Sequence, residues 1–143
     1  MFFIKFLAII FTLQLSKALY IQLHNEETNM FLTINDQEHL IGSINDNNQK
    51  WELIYHESSY FLIKNLATSK LLEASLDGRV YLMSFNNLTN QLWSIINKVI
   101  QNKASKQVLE SRQFNIFTQF GYGSMSQNWD IHIIESTILT SIF

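Results

Sequence analysis

The chain of 143 residues contains neither cysteine nor proline. Without cysteine it can form no disulfide framework, and thiol catalysis and thiolate zinc sites are excluded as well. Stability must therefore come from apolar burial and backbone hydrogen bonds. The absence of proline suits a protein built from β-strands, because strand pairing needs nearly every backbone N–H.

Charge and catalytic motifs are also scarce. Only 15% of the residues are charged and the formal net charge is −2, with no basic run that would predict binding to nucleic acid. The sequence has no nucleophile-elbow, zinc-protease, phosphate-loop or dinucleotide motif. The four histidines show no metal-ligand spacing along the chain: His24, His39, His56 and His132. We therefore expect a protein that is not an enzyme and that uses no metal or cofactor.

Residues 1–18 have the pattern of a secretory signal peptide. Lys5 precedes an apolar stretch, after which Ser16 and Ala18 place small residues at the two positions expected for cleavage. The apolar stretch is shorter than the roughly 20 residues needed to cross a bilayer. The sequence therefore predicts a secreted, extracellular protein whose mature part is residues 19–143, without stable membrane insertion.

A Gln-x-Trp motif recurs three times at intervals of about 40 residues, and its copies contain all the tryptophans. The copies are Gln49-Lys50-Trp51, Gln91-Leu92-Trp93 and Gln127-Asn128-Trp129. Upstream of each motif lies an Asn-containing turn, so the units match along their whole length. The sequence thus predicts three repeats in one domain, near residues 19–58, 59–97 and 98–143.

Short runs of aliphatic and aromatic residues within each repeat indicate β-strands, bounded by polar turns such as Asp77-Gly78. No window has the apolar periodicity of a long helix. About four strands per repeat give about twelve in all. Three equivalent units can share one core and cover each other's strand edges. We therefore predict an all-β fold, a β-trefoil with pseudo-threefold symmetry.

With its three Gln-x-Trp motifs, the mature chain resembles the ricin B-type (R-type) lectin β-trefoil. The resemblance implies that Trp51, Trp93 and Trp129 are core residues and that each motif's glutamine holds a neighbouring turn. Sugar binding in this family uses an Asp on the second strand of a repeat, an aromatic ring on the next strand, and an Asn before the motif. Such a mixture matches the apolar face and polar rim of a sugar.

The second repeat fits this sugar-binding pattern best. Glu73 stands at the acidic position, Tyr81 or Met83 on the following strand, and Asn90 before Gln91. Glutamate is one methylene longer than the family's aspartate, and Met83 cannot stack as an aromatic ring does.

The other two repeats fit less well. In the third, Glu110 takes the acidic position, with Phe117 or Gln119 on the strand and Ser126 before Gln127. In the first, Thr33 replaces the acid, His39 or Ile41 falls on the strand, and Asn48 precedes the motif. An alternative remains for both glutamates, as solvent-facing strand residues paired with Lys70 or Arg112.

Two functions follow from these residues. The first is non-catalytic binding of glycans or glycoproteins, of galactose type, through the second repeat. The alternative is a trefoil with degenerate sugar sites that acts through protein contacts, as a secreted ligand, inhibitor or toxin-accessory domain. The sequence does not define the oligomeric state.

Two further features complete the sequence predictions. Asn87-Leu88-Thr89 is an N-glycosylation sequon in a polar loop. The apolar tail, residues 138–143, is interpreted as a final strand against the first one, near Tyr20 and Ile21, or alternatively as a partner or membrane contact.

Overall fold

The computed structural model describes residues 19–44 and 49–136. The predicted signal peptide, Asn48 and the apolar tail lie outside these described residues. Twelve strands occupy the described part: β1 (Leu19–Asn25), β2 (Phe31–Ile34), β3 (Leu40–Ser43), β4 (Trp51–Glu57), β5 (Tyr60–Asn65), β6 (Leu71–Ala74), β7 (Val80–Met83), β8 (Trp93–Ile96), β9 (Val99–Asn102), β10 (Val108–Arg112), β11 (Asn115–Gln119) and β12 (Trp129–Ser136). Short 3-10 turns at Thr89–Gln91 and Met125–Gln127 precede two of the tryptophans.

All strand pairings between these elements are antiparallel, and they divide into two layers. Six strands, β1, β4, β5, β8, β9 and β12, pair in sequence around a barrel. The backbone N–H of Trp129 donates to the Lys98 carbonyl at 2.8 Å, which joins the last strand to the β8–β9 hairpin. The remaining hairpins, β2–β3, β6–β7 and β10–β11, touch one another through β3, β7 and β11. This architecture is a β-trefoil, and the all-β prediction is confirmed.

The three tryptophans lie at equivalent places in one shared core. They are 0%, 0% and 1% exposed, together with core side chains such as Leu32, Leu72 and Leu109. Each indole N–H donates to the carbonyl of the leucine in its own repeat, at 2.9, 2.9 and 3.0 Å. A buried indole nitrogen needs such a partner. The motif therefore fixes the second strand of each repeat against the core.

The turn between the first two strands of each repeat is closed by its asparagine. The side-chain oxygens of Asn25, Asn65 and Asn102 accept hydrogen bonds from backbone N–H groups three residues ahead, at 3.1, 3.1 and 3.2 Å. An asparagine favours such turns because its side chain substitutes for a backbone acceptor. These turns align the strand that carries each candidate acidic residue.

Candidate functional site

Glu73 of the second repeat lies on β6, where it is 5% exposed. Its Oε2 accepts hydrogen bonds from Gln91 Nε2 at 2.8 Å and from Asn86 Nδ2 at 3.0 Å. Gln91 also donates to the Ser84 carbonyl at 2.8 Å and accepts from the Asn86 backbone N–H at 3.0 Å. The glutamine of the motif thus connects the buried carboxylate to the loop after β7.

The strand residues predicted for this repeat lie on β7 beside the carboxylate. Tyr81 pairs in register with Glu73. Burial raises the pKa of the Tyr81 phenol, and its hydrogen bond to the Glu73 carboxylate raises it further. Met83 ends the strand with 47% of its surface exposed. Tyr81 therefore supports the carboxylate, while Met83 offers an apolar surface to solvent.

Asn90 stands where the resemblance places a polar sugar contact. Its backbone carbonyl accepts a hydrogen bond from Asn102 Nδ2 at 2.9 Å. Its side-chain oxygen, Oδ1, is buried and has no hydrogen-bond partner within the described part of the chain. A buried acceptor without a partner is costly, by about 1–3 kcal/mol. Among the described residues, repeat two therefore keeps one buried polar atom without a hydrogen bond.

Glu110 of the third repeat, on β10, is 0% exposed. Its Oε1 accepts from Tyr122 Oη at 2.6 Å, Arg112 Nε at 2.7 Å and Ser126 Oγ at 3.0 Å. Its Oε2 accepts from Gln127 Nε2 at 3.0 Å and also from the Gln119 amide. Five side chains therefore donate to one carboxylate.

These donors keep Glu110 ionised despite its burial. Burial alone raises the pKa of the carboxyl. The hydrogen bonds from Gln119, Tyr122, Arg112 and Gln127 outweigh that effect and lower the pKa to about 2. Hydrogen bonds to the charged form of a carboxyl have this effect generally. Glu110 is thus a buried negative charge whose oxygens already accept hydrogen bonds from neighbouring side chains.

The first repeat has no carboxylate at this position. Thr33 is fully buried, and its Oγ1 has no hydrogen-bond partner among the residues described. Gln49 donates to the Ser43 carbonyl at 3.5 Å and accepts from Gln22. His39 is exposed, and its backbone N–H donates to Asn35. The three repeats thus share a scaffold and differ in the chemistry that it holds.

The interpretation of both glutamates as solvent-facing residues is wrong. Glu73 and Glu110 are buried because the loop before each Gln-x-Trp motif folds over them. Lys70 pairs with Glu38 instead of Glu73. The predicted pairing of Arg112 with Glu110 does occur, at 2.7 Å.

Sequence reasoning missed the loop residues Asn86 and Tyr122. Each precedes the motif glutamine by five residues, and the backbone N–H of each donates to that glutamine's Oε1 at 3.0 Å. Both side chains donate to the glutamate of their own repeat. Their equal distance from the motif is the signal that could have revealed them.

Tyr81 and Phe117, predicted for separate sites, border one open groove between β7 and β11. The groove has a volume of about 480 Å³ and is also lined by Asp77, Gly78, Arg79, Val80, Ile116 and Thr118. The Thr118 N–H donates to the Gly78 carbonyl at 2.8 Å at its floor. A β-carbon added at Gly78, where φ is +92°, would lie 2.6 Å from the Thr118 carbonyl oxygen, so only glycine fits.

A trefoil with a Gln-x-Trp motif in each repeat defines a lectin-like class of domain. Residues 47–119, about half of the chain, match the family described as ricin-type β-trefoil lectin domain-like. The chain belongs to this family. No curated protein matches it by sequence.

Solved structures share the fold at low sequence identity. A designed threefold-symmetric protein, ThreeFoil, aligns over 79% of this chain and 97% of its own, with 19% identity and a TM-score of 0.73. SeviL, in complex with an asialo-GM1 saccharide, aligns over 83% of this chain and all of its own, with 17% identity and a TM-score of 0.70.

The same fold also occurs as part of larger proteins. An endo-β-galactosidase from Clostridium perfringens aligns over 82% of this chain but only 33% of its own length, with 16% identity and a TM-score of 0.74. The likeness therefore concerns one part of that enzyme. Among the described residues of the present chain, no helix is long and apolar enough to span a membrane.

Proposed function

We propose that this protein is secreted, binds glycans without catalysis, and uses its second repeat as the binding site. The observation that carries the proposal is Asn90 Oδ1, which precedes Gln91 in the chain and has no hydrogen-bond partner among the described residues. Because this oxygen is buried, the Asn90 side chain must turn outward before a bound hydroxyl can donate to it. Family membership and the saccharide held by SeviL support a glycan as the ligand.

Glu73 becomes available to a sugar if one internal hydrogen bond is exchanged. Asn86 lies on the exposed loop after β7, and its amide donates to Glu73 at 3.0 Å. A sugar hydroxyl that replaces this amide would keep the carboxylate satisfied. Met83 and Phe85 are exposed next to this loop and can contact the apolar C–H face of a galactose-type ring.

The third repeat is the weaker candidate because its carboxylate already has five donors. A sugar hydroxyl would have to compete with charged and neutral hydrogen bonds at Glu110. Gln127 is buried and donates to Glu110 and to the Phe120 carbonyl. We therefore assign Glu110 and Gln127 mainly to stability, with any sugar contact coming from the half-exposed ring of Tyr122.

Glycan binding is tested on an array with the secreted protein and three variants. Glu73→Gln and Asn90→Ala are expected to lower binding at least tenfold, while Glu57→Gln, an exposed acid on β4, leaves it unchanged. Thermal unfolding of each variant shows that the fold is intact. Binding that survives both repeat-two changes contradicts the site, and binding to no glycan contradicts the function. A single shallow site is expected to be weak, so the array must present its glycans densely.

Secretion and the lack of catalysis are tested with the same material. We expect the protein to leave a eukaryotic cell cleaved after Ala18, which N-terminal sequencing detects. Glycans recovered after prolonged incubation with the protein should keep their mass. Cleaved glycans would show that the domain is an enzyme.

The alternative function through protein contacts is favoured by one surface feature. Large apolar side chains are exposed on the loops around both motif turns: Phe85, Leu88, Phe120, Tyr122 and Met125. Exposed large apolar side chains, where they form a patch, often mark a protein interface. Two results together would support this alternative. The glycan array is negative, and Leu88→Ser or Met125→Ser abolishes capture of a protein receptor.

A further inference from the structure

Three potential metal ligands meet where the first and last described strands pair. His24 on β1 lies opposite Asp130 on β12, and Gln22 lies opposite His132. Directly opposed and diagonal residues of an antiparallel pair share one face of the sheet. One ligand atom from each of His24, Asp130 and His132 lies within 4.8 Å of the other two. The spacing along the chain conceals this cluster because β1 and β12 come from opposite ends of the domain.

The two imidazole rings are already arranged side by side. Their centroids are 5.4 Å apart and their planes differ by 18°. Phe31 packs against both, with its centroid 4.9 Å from His24 and 5.8 Å from His132. Rings held by their neighbours lose less conformational freedom when they bind an ion.

Within the described residues, the Asp130 carboxylate has one competing partner. Lys98 Nζ lies 2.9 Å from Asp130 Oδ1 and also contacts Glu26. Because Glu26 holds the same ammonium group, Lys98 keeps an ion pair if Asp130 turns toward a metal ion. The two carboxylates beside the β1–β12 pair therefore permit a second cation in addition to Lys98.

We propose that His24, Asp130 and His132 bind a divalent late transition-metal ion, with zinc as the natural candidate. Two imidazole nitrogens and one carboxylate oxygen suit zinc, copper or nickel, whereas calcium and magnesium prefer oxygen ligands alone. Zinc bonds to these atoms are about 2.0–2.2 Å long, so the three side chains, whose ligand atoms lie within 4.8 Å of one another, must move closer together around the ion. A water molecule completes the coordination.

Such an ion would connect the two strands that close the domain. An ion that binds only the folded state raises stability in proportion to the logarithm of its concentration. Zinc is therefore expected to raise the Tm of the wild-type protein, and the rise should grow with zinc concentration.

The proposal is tested by titrating untagged, metal-free protein with zinc against a chromophoric chelator. We expect one ion per chain and at least a tenfold weaker Kd for both His132→Ala and Asp130→Asn. His56→Ala, an exposed histidine on β4, serves as the matched control and should bind as the wild type does. Calcium should not compete for the site.

A spectroscopic readout separates coordination from loss of structure. Bound copper(II) should show an electron paramagnetic resonance spectrum with two imidazole nitrogens, reduced to one in His132→Ala. Circular dichroism checks that each variant is folded. Equal zinc affinity in His132→Ala and the wild type, or no binding at millimolar zinc, would overturn the proposal.

Discussion

The second and third repeats place a glutamate on equivalent strands, yet they surround it differently. Glu73 is reached by Gln91, Asn86 and Tyr81, all of them neutral groups. Glu110 is reached by five side chains, one of which carries a positive charge. Both carboxylates are held by their motif glutamine. The surrounding loops and strand ends therefore decide how many groups donate to each carboxylate on the shared scaffold.

The residue two positions after each glutamate accounts for much of this difference. Arg112 follows Glu110 and donates to it at 2.7 Å. Ser75 follows Glu73 and instead bonds to Asp77 and to the Arg79 carbonyl within the hairpin turn. A charged donor strengthens a buried hydrogen-bond network beyond what neutral donors provide.

The losses of stability in the two repeats are expected to differ most when each glutamate is replaced by alanine. Glu110→Ala leaves five donors without their acceptor and should destabilise the protein by about 3–5 kcal/mol. Glu73→Ala affects fewer and neutral donors and should cost about 1–3 kcal/mol. Urea unfolding of both variants measures the difference. Equal losses would show that the extra donors of the third repeat add nothing.

Acid should weaken the third repeat through the same carboxylate. The pKa of Glu110 is lowered from 4.5 to about 2 in the folded protein. Its contribution to stability is therefore complete above pH 4.5 and is lost as the pH falls toward 2. The loss amounts to about 3 kcal/mol at 1.36 kcal/mol per pKa unit.

Urea unfolding between pH 6 and pH 2 measures this acid dependence, with Glu110→Gln as the variant that lacks it. The amide has no titrating proton, so its free energy of unfolding should fall less over the same range. Parallel curves for the two proteins would contradict the assignment.

A smaller contrast is expected at the two loop residues that sequence reasoning missed. Tyr122→Phe removes only the hydroxyl that donates to Glu110 and should cost about 1–2 kcal/mol, because the acceptor is charged. Asn86→Ala should cost less, since Asn86 is exposed and Gln91 still donates to Glu73. Thermal unfolding ranks the two. If Asn86→Ala destabilises the protein more than Tyr122→Phe does, then water does not replace the hydrogen bond from Asn86 to Glu73.

The smallest effect on stability is expected from a glycan at Asn87, which is exposed and next to Asn86. Its attachment should change Tm by less than a degree or two, because the side chain points away from the core. The same glycan lies beside the second repeat and should weaken ligand binding there. Enzymatic deglycosylation and Thr89→Ala should both restore binding. A mass that matches the bare chain would show that the sequon is unused.

The fold could be predicted because each repeat encodes it locally. The spacing of Trp51, Trp93 and Trp129 predicts three equivalent units, and short apolar runs predict their strands. The structure has twelve strands, and the indole hydrogen bonds tie each tryptophan to a leucine carbonyl of its own repeat.

The candidate site could be predicted only in part. The acidic positions follow from the repeat, but their burial depends on irregular loops, where the shared five-residue spacing before the motif glutamine is the one sequence signal described. Asn86 and Tyr122 do the same task with unlike side chains, so residue type alone does not reveal them. The pairing of His24 with Asp130 depends on closure of the whole domain, which no local pattern reports.

That closure has a consequence for the order of the chain. Because β1 pairs with β12 along its full length, the two ends of the twelve-stranded domain are neighbours. A circular permutant that joins them by a short linker and opens at the exposed Asn97–Lys98 turn would retain every strand pairing. The repeats would then follow one another in a new order along the chain and still assemble the same trefoil. The fold therefore depends on which units are adjacent and not on which comes first.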